Sequence, residues 1–343
     1  MSVLKVGLSI VLCIVVSLES TLVKWVKLNQ TIDPPSEHLV ILAEITKGII
    51  CTILYKLTRD FTSDLPMVDD EHRPLYPSLP SSPIPPHNTN NRPRYDSAMY
   101  FMLPAMLYTI SNNITFIALS YLSSSMFSLL MNLKIPMTGV LAYILLRKQI
   151  TQLGWIALVT MFIGSAIACL RFQGTSLGLN CSLLGVILMV GYSVCSASAA
   201  VYMEYITRHL FSNENIFLQN IKFCAYGIVF NTIVTILRGN LLTWYLESIH
   251  LLSIFAMVFN GLITAAVIKY AGSIPKTYSV AFAALVTSLL ALFIWHTILD
   301  WNYYLGAIIC CLSIQLYVLD KLRPSHPLTT TWLDQTVESV RRL

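Results

Sequence analysis

Apolar stretches about as long as a bilayer is thick recur along nearly the whole chain, and few folds are open to a chain built this way. Of its 343 residues 55% are hydrophobic and only 11% charged, whereas soluble domains carry about 25% charged residues. A spanning helix needs roughly 20 mainly apolar residues. About ten segments qualify, near 3 to 23, 39 to 57, 98 to 119, 124 to 146, 153 to 170, 179 to 203, 216 to 238, 249 to 270, 277 to 299 and 302 to 319. The expected fold class is therefore an all-α integral membrane protein with about ten transmembrane helices. For the first segment a signal peptide is the competing reading, because Lys5 precedes an apolar run. That run outlasts ordinary signal length without a small-residue cleavage site, so it is kept as a helix.

The distribution of charge orients the chain. An even number of helices puts both termini on one side, together with Lys5, Lys56, Arg59, Arg73, Arg92, Arg94, Arg147, Lys148, Arg208, Lys276, Lys321, Arg323, Arg341 and Arg342. The other side keeps Lys24, Lys27, Arg171 and Arg238. The positive-inside bias then makes both termini cytoplasmic. Two glycosylation sequons, at Asn29 and Asn180, fall on the far side, where glycosylation can occur. Seven of the cysteines lie inside apolar segments, Cys181 sits at an edge, and none forms a C-x-x-C. They read as small core residues, not as a disulfide or metal framework.

The chain reads as one transmembrane domain over 1–343, with a first half at 1–170 and a second at 179–319. The long polar connection, 58–97, is dense in proline and lacks apolar periodicity, as a disordered cytoplasmic loop would. Residues 320–343 form a cytoplasmic tail. Internal duplication is a common plan for transporters, and an odd number of helices per half makes the halves inverted.

Polar groups inside the apolar segments nominate a site. Lys134 lies about midway through its segment, where a buried ammonium needs a partner or an anionic cargo. Pro136 just beyond it removes a backbone hydrogen bond and opens the helix locally. The alternative for Lys134 is a structural pair with Glu44 or Glu204. Glu44 and Lys47, three residues apart, share a helix face and neutralise each other or touch a ligand. Tyr108 and Asn112 share a face one turn apart, Asn113 follows, and asparagines also join membrane helices to one another. Lys269 is a second phosphate candidate unless it snorkels to the interface, and Lys222 is a third with more polar flanks. The histidines are scattered over loops and ends. Neither a metal-ligand spacing nor a nucleophile and base constellation is visible, so no cofactor is expected.

Six fragments, in order, resemble the nucleotide-sugar transporters, in particular the branch containing the CMP-sialic acid, UDP-galactose and UDP-N-acetylglucosamine carriers. They are L-A-E-I-T-K, Y-T-I-S-N-N-I-T-F-I-A-L-S-Y-L, M-N-L-K-I-P-M-T, S-A-A-V-Y-M-E-Y, I-F-L-Q-N-I-K-F and V-I-K-Y-A-G-S-I-P-K. The resemblance implies a drug/metabolite-transporter fold in the Golgi or endoplasmic reticulum membrane. It implies exchange of cytosolic nucleotide sugar for lumenal nucleoside monophosphate by alternating access, without ATP or metal. It also implies that Tyr108, Asn112, Lys134, Ser198, Asn220 and Lys269 line the central site, with Asn113 and Glu44 as second choices. The chain departs from the family at Phe127-Ser128, where Tyr-Gln is common, and at Gly272-Ser273, where Asp-Asn is common. CMP-sialic acid is the first expectation for cargo, from N-L-K-I-P-M-T, with UDP-sugars close behind. Export of another anionic metabolite, a non-transporting scaffold acting through the 58–97 loop and a lipid-linked enzyme are the competing classes. The expected partners are nucleotide sugar, nucleoside monophosphate and membrane lipid, with no nucleic acid, and homo-oligomers or glycosyltransferase association stay open.

Overall fold

The computed structural model describes residues 3–29, 36–63, 96–119, 121–122, 127, 130–169, 182–239, 248–296 and 301–322. They build the helices α1 (Val3–Asn29), α2 (Ser36–Ser63), α3 (Met102–Leu119), α4 (Lys134–Leu146), α5 (Gln152–Cys169), α6 (Leu183–Tyr205), α7 (Ile216–Leu237), α8 (Ser248–Tyr270), α9 (Ser273–Trp295) and α10 (Trp301–Leu322). A single turn at Asp96–Met99 precedes α3, and a π-helical turn, Ile206–Leu210, continues α6. Among the described residues 7 helices are long and apolar enough to cross a membrane, and α4 and α5 contain shorter apolar helices. Leu183, Leu237, Phe293 and Trp301 are exposed on the outer surface, as suits a molecule surrounded by lipid. The protein is an all-α, multi-pass membrane protein.

The helix pairings follow a rule. α3 packs on α6 and α8 on α1; α4 packs on α6 and α9 on α1; α2 packs on α8 and α7 on α3. Each pairing turns into its companion when every helix is exchanged for the one five places away. The remaining large contacts, α2 with α7, α4 with α9 and α5 with α10, map onto themselves. Closest of these is α5 against α10. A Cβ built on Gly306 would lie 2.5 Å from the Gly164 carbonyl oxygen and from the Ala168 backbone nitrogen, so the two backbones touch, as small residues permit in membrane interfaces. Ser313 Oγ donates to the Ala157 carbonyl at 2.6 Å across the same seam.

Two regular helices begin elsewhere than the sequence-based spans do, each with a proline in its first turn. Pro136 has no N–H to give the Asn132 carbonyl, so Ile135 N takes that acceptor at 2.9 Å in a tightened turn. Regular α4 begins only at Lys134, where a proline in the first turn costs no hydrogen bond. Lys134 thus stands where regular α4 begins; Phe127, Leu130 and Met131, earlier in the expected span from 124 to 146, are also helical, and 124–126 and 128–129 lie outside the described residues. In the same way α9 begins at Ser273 with Pro275 in its first turn, not at 277. Lys276, counted in the sequence among connecting-loop charges, is therefore a helix residue. Much of the 58–97 loop, at 64–95, and the tail beyond Leu322 lie outside the described residues, as do both sequons' serine and threonine positions except Ser182.

Candidate functional site

Seven helices, α1, α2, α3, α6, α7, α8 and α9, surround a cavity of about 360 Å³. Lys276 reaches it from the first turn of α9. Its ammonium lies 3.4 Å from the Tyr108 hydroxyl and 5.5 Å from the centre of that ring. Tyr108 in turn meets Phe223 edge-on, with centroids 5.9 Å apart, and Lys47 stands 5.6 Å from the centre of the Phe223 ring. Two cations thus lie against a pair of aromatic rings, which hold them by quadrupole attraction as well as by packing. Lys134, projecting from the start of α4, is near enough to act electrostatically on both Tyr108 and Lys276. Among the described residues no carboxylate lies within ion-pair distance of Lys134 or Lys276. Two like charges brought together without a counter-charge make a place for an anion.

Around that pair the wall is polar, with one neutralised ion pair and one further carboxyl. Glu44 binds Lys47 at 2.7 Å, with both side chains largely buried. Asn112 faces the cavity from α3, and Asn220 and Asn231 from α7. Asn220 is buried and donates to the Ile216 carbonyl at 3.1 Å, which fixes its amide. Glu19 from α1 and Asn260 and Thr264 from α8 complete the polar lining.

Of the residues nominated from sequence, Tyr108, Asn112, Asn220 and Glu44 line one cavity, with Lys134 beside it. Asn113 and Ser198 do not line it; the Asn113 amide donates to the Thr109 carbonyl at 2.8 Å. Lys269 also lies outside the lining, its ammonium bonded to the Glu214 carbonyl oxygen. Lys222 sits in the same outer group, paired with the Glu214 carboxylate and donating to Ser97 Oγ at 2.8 Å. The lysine that faces the cavity from the second half is Lys276. S-I-P-K repeats the Ile-Pro of K-I-P, and in both places the proline lies in the first turn of a helix, but that repeat alone does not place Lys276 at the cavity. Glu19 was legible as an isolated carboxylate in an apolar segment.

The departure at Gly272-Ser273 also has a structural setting. Glu204, fully buried in α6, accepts hydrogen bonds from Ser273 N at 2.7 Å and from Ser273 Oγ at 2.6 Å. It also pairs with Arg208 at 2.7 Å and with Lys148 at 3.6 Å. So Glu204 and Glu44 both have cations, and neither is Lys134. Gly272 stands at φ 105° and ψ 176°, a region that glycine alone visits readily. A Cβ there would come within 2.6 Å of Glu204 Oε1.

Comparison with known proteins agrees with this architecture. The profile of the nucleotide-sugar transporter family matches residues 87–318. CMP-sialic acid transporter 1 of Oryza sativa subsp. japonica is 28% identical over 256 residues, covering 69% of this chain and 77% of the relative. UDP-galactose transporter senju of Drosophila melanogaster is 28% identical over 271 residues, covering 65% of this chain and 70% of the relative. A solved crystal structure superposes with a TM-score of 0.63 at 13% identity, over 92% of this chain and 99% of that one, a likeness of fold. The fold and the cavity are those of a polytopic membrane carrier. The chain belongs to the nucleotide-sugar transporter family, a family of transporters and not of enzymes.

Proposed function

We propose that the protein is an antiporter that carries a nucleotide sugar, CMP-sialic acid or a UDP-sugar, in exchange for nucleoside monophosphate. Lys134 and Lys276 hold the phosphates in this reading, Tyr108 orients them, and Asn112 and Asn220 meet base and ribose. The observation that carries it is Lys276 on the Tyr108 hydroxyl at the cavity with Lys134 beside it, neither with a carboxylate partner among the described residues. Alternating access follows from rocking α1–α5 against α6–α10 around the central cavity. The five-place exchange symmetry of the helix pairings supports two inverted five-helix halves with ten spans. Positive-inside charge supports cytoplasmic termini, and the family resemblance supports a Golgi membrane. Together they direct nucleotide sugar from the cytosol to the lumen.

Counterflow tests the reading directly. Purified protein in liposomes preloaded with CMP, UMP or GMP is expected to take up one labelled monophosphate selectively, with inhibition by nucleotide sugars of the same base. Folded protein that exchanges none of the three would move the assignment to another anionic cargo or to a scaffold. Deleting residues 64–95 separates those two, since a scaffold acting through that loop loses its function and a carrier keeps transport.

A further inference from the structure

We propose that Glu19 makes this carrier selective for nucleotide sugars whose sugar is uncharged, by disfavouring a sugar carboxylate in the same cavity. The inference rests on the nucleotide-sugar reading above and narrows its substrate class. The charged side chains lining the cavity are Glu19, Glu44, Lys47 and Lys276. Glu44 and Lys47 neutralise each other, and Lys276 with Lys134 supplies the phosphate end. That leaves Glu19. Among the described residues no ammonium or guanidinium lies within ion-pair distance of it.

What holds Glu19 is a neutral chain of hydrogen bonds. The Thr264 hydroxyl donates to Asn260 Oδ1 at 3.2 Å, which turns the Asn260 amide nitrogen toward Glu19, and Glu19 Oε2 accepts from it at 2.5 Å. An amide donor occupies one lone pair of a carboxylate and leaves its other sites for a ligand. Glu44 adds a second acceptor: Oε1 is taken by Lys47, and Oε2 is buried without a hydrogen-bond partner among the described residues. Glu19 and Asn260 enter from α1 and α8, helices other than those carrying Lys134, Lys276 and Tyr108. Sugar hydroxyls are donors and suit these oxygens. A sugar carboxylate brought within about 5 Å of an ionised Glu19 meets a like charge in a partly desolvated site, so the discrimination is read at about pH 8.5, where the carboxyl is ionised. Such a repulsive element is what discrimination between similar ligands requires.

The test compares two ligands that differ only at C6 of the sugar, a hydroxymethyl group in UDP-galactose and a carboxylate in UDP-galacturonate, as inhibitors of labelled UMP counterflow in liposomes containing the full chain, with CMP counterflow inhibited by CMP-sialate as a parallel arm. Wild type is expected to favour UDP-galactose by roughly tenfold or more in inhibition constant, and CMP-sialate is expected to inhibit weakly. Glu19→Gln, which keeps the acceptor for Asn260, is expected to bring the two UDP-sugars within about threefold, while Glu19→Asp keeps most of the preference. The readout is a ratio within one variant, so a general loss of activity cancels. Equal inhibition by the two UDP-sugars in wild type overturns the inference even if no variant folds. An unchanged ratio in Glu19→Gln, or strong inhibition by CMP-sialate in wild type, overturns it as well. If no monophosphate exchanges at all, the transport reading falls and this one with it, so the two failures are distinct.

Discussion

Lys47, Lys148, Lys222 and Lys269 each have an immediate partner, whereas Lys276 faces the cavity and Lys134 stands beside it, neither within ion-pair distance of a carboxylate among the described residues. Lys47 has Glu44, Lys222 has Glu214, Lys148 has Glu204, and Lys269 has the Glu214 carbonyl. Lys276 has the Tyr108 hydroxyl and ring, and Lys134 stands near enough to repel it. Removing either should therefore cost transport more than it costs folding, because the native state loses an electrostatic repulsion when one goes. Lys276→Ala and Lys134→Ala are expected to lower counterflow by at least about tenfold, with melting temperature held or raised. Lys269→Ala is expected to keep most of its transport. A Lys269 variant as impaired as Lys276→Ala would return the phosphate contact to the outer lysine, and an unimpaired Lys276→Ala would remove it from the cavity altogether. Tyr108, Asn112 and Glu44 were legible from their spacing because side chains one turn apart share a face wherever the helix lies. Choosing between Lys269 and Lys276 was not open to spacing. It turned on where α9 begins, which is settled by Ser273 N bonding Glu204, a residue 69 positions away in the chain.

At the scale of elements, the two helices that start on an Ile-Pro pair do different work. α4 begins after a tightened turn that its own proline imposes, so its start was latent in K-I-P. α9 begins at a glycine with left-handed φ pressed against a buried carboxylate, and that start depends on α6. Glu204 is the knot: it bonds the N-terminus of α9, pairs with Arg208 one turn along its own helix and with Lys148 in the α4–α5 connection. Gly272→Ala is expected to destabilise the fold by about 1–3 kcal/mol from backbone conformation alone, with a further cost from the Cβ approaching Glu204 and Arg208. Glu204→Gln keeps an acceptor for Ser273 but strands two cations near a neutral amide, and breaking a buried pair in this way costs about 3–5 kcal/mol. Thermal unfolding in detergent should rank wild type above Gly272→Ala, and Gly272→Ala above Glu204→Gln. A Gly272→Ala protein as stable as wild type would mean that the α9 start is free to relax away from Glu204. That several helices are long and apolar enough to cross a membrane was readable from hydropathy, because a helix in lipid pairs its own backbone. The starts of α4 and α9 were less so, because they depend on a missing N–H in one case and a distant carboxylate in the other.

For the molecule as a whole, the cavity and the tightest seam lie apart. α5 and α10 contribute nothing to the cavity lining, yet they are joined backbone to backbone at Gly164 and Gly306, with Ser313 bonding the Ala157 carbonyl. α5 belongs to the first five helices and α10 to the second, so the seam ties the two sets together where no substrate passes. If the sets rock about the cavity, this seam is the joint that stays closed while α1–α4 and α6–α9 exchange contacts. A methyl group at position 306 has no room, since both atoms it would meet at 2.5 Å belong to the backbone, and overpacking of this kind costs about 1–3 kcal/mol. By contrast a Cβ at Gly7 or Gly191 meets nothing within 4 Å. Gly306→Ala is expected to lower the melting temperature and the maximal exchange rate together while leaving KM for the nucleotide sugar near its wild-type value. Gly191→Ala should change none of the three. A Gly306→Ala carrier with raised KM and undiminished stability would mean that the seam communicates with the binding site instead of holding the two halves around it.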